Sequence, residues 1–300
     1  MKKEKVEYKS RVDTVDTRTS INNVEELMKD IDHTMNGIKI SNSRKIGEMS
    51  TIYNPNKVNG EYSTEYKLSV TERNLETLMD IQTIINKDEV YKTRVDINTD
   101  ISIDFNSNFK VLNMLHKCFT LNLQSKSQGK SFNWNKQDDD TLNMCSLCMK
   151  NQNYFVEYYD KKTESNGVHK YDTRLEVRFI RIKAQDLEFH IDKAISLYKN
   201  TLANFEIVEK RQISKLIKKY DEYMIKNSSA TFREFVSTYN NHILTMDIFK
   251  ALYSYSGMKG NIRVWISRYR TGHDFDLVTK SDIKGHCDNI VKSLKSYKKL

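Results

Sequence analysis

Three segments place acidic and basic residues on one face of what read as β-strands. From Arg94 to Ile101 the chain alternates: Arg94, Asp96, Asn98 and Asp100 fall on one side, Val95, Ile97, Thr99 and Ile101 on the other. A period of two is that of a strand. Tyr154 to Lys161 carries Glu157, and Asp172 to Ile182 sets Arg174, Glu176 and Arg178 against Leu175, Val177 and Phe179. Carboxylates gathered on a sheet face form the oxygen-rich environment that Mg²⁺ or Mn²⁺ prefers. Such an ion would polarise a phosphodiester. Arg94, Arg174, Arg178 and Lys161 would then hold the phosphate backbone. A charged strand face is more often simply solvated, so the pattern is not specific by itself.

The same chemistry needs a nucleophile. Tyr159 stands in Phe155-Val156-Glu157-Tyr158-Tyr159-Asp160-Lys161-Lys162. A phenolate attacks phosphorus and also leaves well, so strand scission through it is reversible. Its ordinary pKa of about 10 calls for a cation or base nearby, and Lys161 and the ion are the candidates. The chain has 17 tyrosines, so residue type alone cannot choose among them. Tyr158 and Tyr159 point to opposite faces of a strand, so at most one reaches the carboxylates.

The elements around these strands can be read coarsely. Residues 1–20 look like a polar arm or an edge strand. Asn22 or Asn23 caps a helix whose stripe is Val24, Leu27, Met28 and Ile31. Strands are expected around 39–53 and 66–70, with a turn at Tyr53-Asn54-Pro55-Asn56-Lys57 holding the single proline. Helices are expected over 72–86 and 107–119. Ser165-Asn166-Gly167 reads as the loop of a hairpin. Beyond about residue 184 helical periodicity dominates, broken at Asn227-Ser228-Ser229.

The formal net charge is +9, which favours nucleic acid or anionic lipid as partner. No apolar run is long enough to span a bilayer. The amino-terminal segment lacks the apolar stretch of a signal peptide, so a cytoplasmic protein is expected. Four cysteines are too few for a disulfide scaffold. Cys145 and Cys148 form one C-x-x-C without a second pair, so a half-buried strand is a better reading than zinc.

Four segments, in order, resemble the replication initiators of rolling-circle plasmids of the trans-acting staphylococcal type. They are Tyr53-Asn54-Pro55-Asn56-Lys57, Thr93 to Asp100, Phe155 to Lys162, and Arg174-Leu175-Glu176-Val177. The match covers roughly residues 45–182. The resemblance implies a degenerate HUH nuclease in which carboxylates replace the metal-binding histidines. It places the nucleophile on Tyr159 and the Mg²⁺ or Mn²⁺ ligands on Asp96, Asp100 and Glu176. Tyr158 stands where the family usually has an aliphatic residue, and Asp160 where it has Asn, so Tyr158 stays open as the nucleophile. The seven histidines are isolated, with no His-x-His pair.

Residues 231–280 look like a helix-turn-helix. Gly257 sits in its turn, and Arg263, Arg268 and Arg270 on its second helix could reach DNA. Thr271 to Lys280 would be a wing. A small helical bundle with a solvated basic face is an equal alternative.

The expected architecture is α+β. An antiparallel-sheet catalytic domain with flanking helices occupies residues 1–190, and a helical, winged-helix-like domain occupies 191–300. The expected function is nicking of an origin by tyrosine transesterification to prime rolling-circle replication. A homodimer on the origin DNA and a host DNA helicase are the partners the resemblance implies, with no membrane partner. The alternatives are a non-catalytic origin-binding initiator or repressor, and a structural protein whose charge is incidental.

Overall fold

A computed structural model describes residues 6–20, 49–58, 61–71, 90–123, 130–135, 144–150, 153–180, 187–272 and 277–298. Side chains are described for most of these, not for 15–20, 49–58, 61–71, 90–93, 130–135, 144–146, 149 and 268–272. The helices expected over 22–31 and 72–86 lie outside the described residues.

The fold is α+β. Its strands are β1 (Tyr8–Ser20), β2 (Met49–Val58), β3 (Glu61–Thr71), β4 (Val90–Ile101), β5 (Lys130–Asn135), β6 (Met144–Lys150), β7 (Tyr154–Asp160) and β8 (Thr173–Ile180). They form one sheet in the order β2-β3-β1-β4-β8-β7-β6-β5. Every neighbouring pair is antiparallel. The helices are α1 (Phe109–Leu123), the single turn α2 (Lys161–Glu164), α3 (Leu187–Asn200), α4 (Phe205–Lys226), α5 (Phe232–Thr238), α6 (Met246–Tyr255), α7 (Ile262–Gly272) and α8 (Lys280–Tyr297). Among the described residues no helix is long and apolar enough to cross a membrane.

Two local expectations are corrected. Residues 8–20 are not an arm or an edge: β1 is an inner strand between β3 and β4. The turn expected at 53–57 is a shift of register inside β2, between Ile52 and Asn56. Pro55 has no N–H to donate, and a bulged edge strand is where a sheet tolerates that.

The core forms because the central strands alternate. Val95, Ile97 and Ile101 of β4, Val156 and Tyr158 of β7, and Leu175, Val177 and Phe179 of β8 are all buried. Their face packs against α1 and α3, which bring Leu112, Leu115, Phe119, Ile191 and Ala194 into the same apolar cluster. The expected domain boundary near 190 falls within the first turn of α3. Contacts cross it: Ser293 of α8 accepts a hydrogen bond from the Ser10 backbone N–H at 2.7 Å and donates to the Tyr8 carbonyl at 3.2 Å. Tyr8 Oη also meets His286 Nδ1 at 2.8 Å.

The helix-turn-helix expectation corresponds to α6, a turn with Gly257 at φ 68°, and α7. No wing is seen in the described part of 271–280. Residues 271–272 continue α7, Val278 bridges to Thr245, and Lys280 opens α8 behind the cap of Thr279.

Leu175, 1 % exposed on β8, tests this packing. Leu175→Ala is expected to cost about 2–5 kcal/mol, read as a lower urea midpoint with an unchanged slope.

Candidate active site on the polar face of the sheet

The face of β4, β7 and β8 that turns away from α1 carries the candidate residues. Register fixes their neighbours: Asp96 faces Arg178, Asn98 faces Glu176, and Asp100 faces Arg174 across β4 and β8. Across β8 and β7, Arg178 faces Phe155, Glu176 faces Glu157, and Arg174 faces Tyr159. Asp96, Asn98, Asp100, Arg174 and Glu176 are all buried, so this charged face is not an ordinary solvated one.

Two ion-pair nests organise it. Around Asp96, Arg178 Nε donates to Oδ1 at 3.0 Å and to Oδ2 at 3.1 Å. Arg94 Nε donates to the same oxygens at 2.8 and 3.0 Å. Arg178 also reaches Glu176 Oε1 at 2.7 Å and stacks over the Phe155 ring at 4.7 Å from its centroid. Around Asp100, Arg174 makes a two-pronged contact, Nε to Oδ1 at 2.6 Å and Nη2 to Oδ2 at 3.1 Å. Arg11 of β1 comes to 3.3 Å from Asp100 Oδ2, and His169 Nε2 to 3.6 Å. Asp13 Oδ1 accepts from Arg174 Nη1 at 3.4 Å. Fork-on-carboxylate geometry of this kind fixes both side chains.

Burial raises the carboxyl pKa of Asp96, against the pull of Arg94 and Arg178. Burial also raises that of Glu176, and the nearby Asp96 charge adds to it. Desolvation disfavours the ionised form in both. Asn98 lies between Asp96 and Asp100 on β4, with neither its amide oxygen nor its amide nitrogen hydrogen-bonded.

The two adjacent tyrosines separate. Tyr158 is wholly buried on the apolar face, its ring edge-on to His116 at 4.8 Å. Tyr159 is half-buried on the polar face beside Arg174 and Glu176. Burial first and the Glu176 charge second raise the Tyr159 pKa, while Arg174 lowers it. Lys161 lies at the start of α2, paired with Glu164 and 5.7 Å from the centroid of the Tyr159 ring. The cation directly across from the phenol is thus Arg174, not Lys161.

The structure does not bring Asp96, Asp100 and Glu176 together as one metal site. Asp96 and Asp100 are four residues apart on one strand, about 13 Å at a rise of ~3.3 Å per residue. One ion with oxygen ligands at about 2.0–2.6 Å cannot span that distance. The oxygens of each carboxylate also already meet guanidinium groups. Among the described residues no group of three His, Cys, Asp or Glu side chains is arranged to hold a metal. In this arrangement the three carboxylates are each engaged by arginine rather than turned toward one shared ion position.

Arg94, Arg174 and Arg178 are each tied to a carboxylate; Arg174 is buried, while Arg94 and Arg178 stay partly exposed. Arg263 is exposed on α7, after Asn261, whose Oδ1 accepts from the Arg263 backbone N–H at 2.9 Å. Arg268 and Arg270 are on the same helix, with side chains outside the described set. Arg11, Asp13 and His169 belong to the cluster but were missed in the sequence, while Asn98 was placed on this face without a role. The register of β1 shifts at Asp13, and its residues do not alternate, so no period-two signal in the sequence marks Arg11 and Asp13.

Comparison with protein-family models gives no match, and comparison with curated proteins gives none. Among solved structures, the chain is similar to a rolling circle replication initiator protein from Geobacillus stearothermophilus. The identity is 16 %, the TM-score 0.31, and the alignment covers 58 % of this chain and 75 % of the other.

Removing Arg174 would leave Asp100 buried with its main partner gone. Arg174→Gln is expected to destabilise by about 3–5 kcal/mol. The double variant Asp100→Asn/Arg174→Gln should cost clearly less than the sum of the singles, read by denaturant unfolding in a double-mutant cycle.

Proposed function

We propose that this protein is a replication initiator that nicks one strand of its origin, in plasmid or phage DNA, through Tyr159. The observation carrying the reading is that Tyr159 sits on the buried charged face directly across from Arg174. Tyr159 Oη attacks the scissile phosphorus, an O–P ester to the 5′ side forms, and the P–O3′ bond breaks. The phenol proton passes to the carboxylate of Glu176, whose raised pKa makes it the better base. The departing 3′ oxygen takes a proton from water and leaves a 3′ hydroxyl for a polymerase. Arg174 and Arg178 face the charge that grows on the phosphoryl oxygens. A dimer on a two-fold origin, contacts from α7 through Arg263, Arg268 and Arg270, and a host helicase complete the proposal.

No step is routed through a metal ion, and a need for Mg²⁺ or Mn²⁺ is read directly by assaying with each ion and with chelator. Supercoiled DNA carrying the protein's own gene region is the substrate. Wild type should relax it and leave a covalent protein–DNA band. Tyr159→Phe should lose both, and Tyr158→Phe should keep the band. Absence of nicking on the correct DNA under every ion condition would sink the proposal.

The pH dependence follows from the base. With Glu176 in that role, the nicking rate should rise as pH passes the raised Glu176 carboxyl pKa and then level, whereas a rate still climbing at about pH 9 would mean that phenolate itself attacks without Glu176.

One observation favours a second reading. Asp96, Asp100 and Glu176 are each already bonded to arginine, as in a face whose role is structural. The protein would then bind and open its origin, or repress from it, without cutting. Full origin function in Tyr159→Phe is the result that reading requires.

A further inference from the structure

A second cluster of charge lies on the other side of the sheet. The ring of His116 packs on Tyr158, so α1 covers the face opposite Tyr159. Between α1, α4 and the turn at His242 is a cavity of about 420 Å³. Its size falls in the range of small-molecule sites. Its lining carries Lys117 from α1 and Arg211, Lys215 and Lys219 from α4, and includes no Asp or Glu. The three α4 cations stand at i, i+4 and i+8, on the side of the helix that also buries Val208 and Leu216. Packing of those two apolar residues holds the cations against α1.

Like charges four residues apart repel on a helix. Among the described residues none of the four cations has a carboxylate within ion-pair distance. Lys117 is bonded to the Asn113 amide oxygen, and Lys219 lies 5.2 Å from the centroid of the Tyr239 ring. Burial first, then the charges of Lys215 and Lys219, push the Lys117 ammonium down to about 8. The acidic residues of α4 nearest these cations in sequence point elsewhere: Glu209 accepts from Thr245 Oγ1 at 2.6 Å, and Asp221 from Tyr255 Oη at 2.9 Å.

A second observation is independent of charge. His116 is 2 % exposed and lines the cavity, yet neither ring nitrogen has a hydrogen-bond partner. Burial holds this imidazole neutral, so it offers one N–H donor and one acceptor. A buried polar side chain without a partner is rare unless something else supplies the bond.

We propose that the cavity between α1 and α4 binds the phosphate groups of a polyanionic ligand. Lys117, Arg211, Lys215 and Lys219 neutralise it, and His116 donates to a phosphate oxygen. Two sources share this chemistry: a free polyphosphate, such as a nucleoside triphosphate or pyrophosphate, and the backbone of DNA lying across the helices. The site is separate from Tyr159 and does not depend on nicking.

The test uses the full chain, wild type and Lys215→Ala/Lys219→Ala, with thermal melting to confirm that the variant folds. Pyrophosphate and ATP are titrated by calorimetry, and a labelled single-stranded oligonucleotide by anisotropy over a range of salt. A polyphosphate site predicts saturable pyrophosphate or ATP binding that weakens about tenfold or more in the variant, with oligonucleotide binding unchanged. A DNA site predicts weaker oligonucleotide binding and a salt slope reduced by about 1.4, two phosphate contacts at ~0.7 each. Pyrophosphate, ATP and oligonucleotide binding all equal in wild type and variant would overturn the proposal. Should the double variant fail to fold, Lys215→Gln alone carries the same comparison.

Discussion

The buried ion pairs between β4 and β8 constrain everything around them. Asp96 and Asp100 are each 1 % exposed, and a carboxylate removed from water at that depth must be matched by cations with good geometry. Arg178 and Arg174 match them only because the two strands are antiparallel and in one register. A slip of one residue would turn the charges toward α1 and α3 and the apolar residues outward. The ion pairs and the apolar core thus enforce the same alignment from opposite faces of the sheet.

That alignment also decides what the polar face can do. Arg178 holds Asp96 and Glu176 together while stacking on Phe155, so a guanidinium links these two carboxylates. Arg174 sits between Asp100 and Tyr159. Positive charge on this face is delivered by rigid side chains, each pinned by a carboxylate, which is the pre-organisation that a growing negative charge needs. The chain supplies cations to the face from β4 and β8 and, through Arg11, from β1.

The helical half closes over the opposite face and returns to the beginning of the chain. The α8 hydroxyl of Ser293 bonds two backbone groups of β1, so the last helix fastens an inner strand of the sheet. Residues of α8 such as Ile290 and Leu294 belong to the same buried cluster as Val95 and Val177. The basic cavity between α1 and α4 exists because these helices are pressed together by that shared core.

Much of this was legible in the sequence. Strict alternation in β4 and β8 assigned the faces, because a strand has no other period. It also separated Tyr158 from Tyr159. The helical stretch after residue 184, its break at Asn227 and the turn at Gly257 were marked by apolar spacing, capping residues and a left-handed glycine. What the sequence could not give was partnership. Nothing in Tyr8 to Ser20 says that it is an inner strand, since a polar strand reads like an arm until both its neighbours are known. Nor could the sequence show that Asp96 and Asp100, on one face, lie about 13 Å apart along it, each gripped by an arginine. The sequence does not single out Arg211, Lys215 and Lys219, and only the packing of α4 on α1 gathers them around Lys117 and His116. Local periodicity is written in the chain because it depends on neighbours in sequence. Which charges meet depends on pairing between distant strands and helices, and only the tertiary structure decided it.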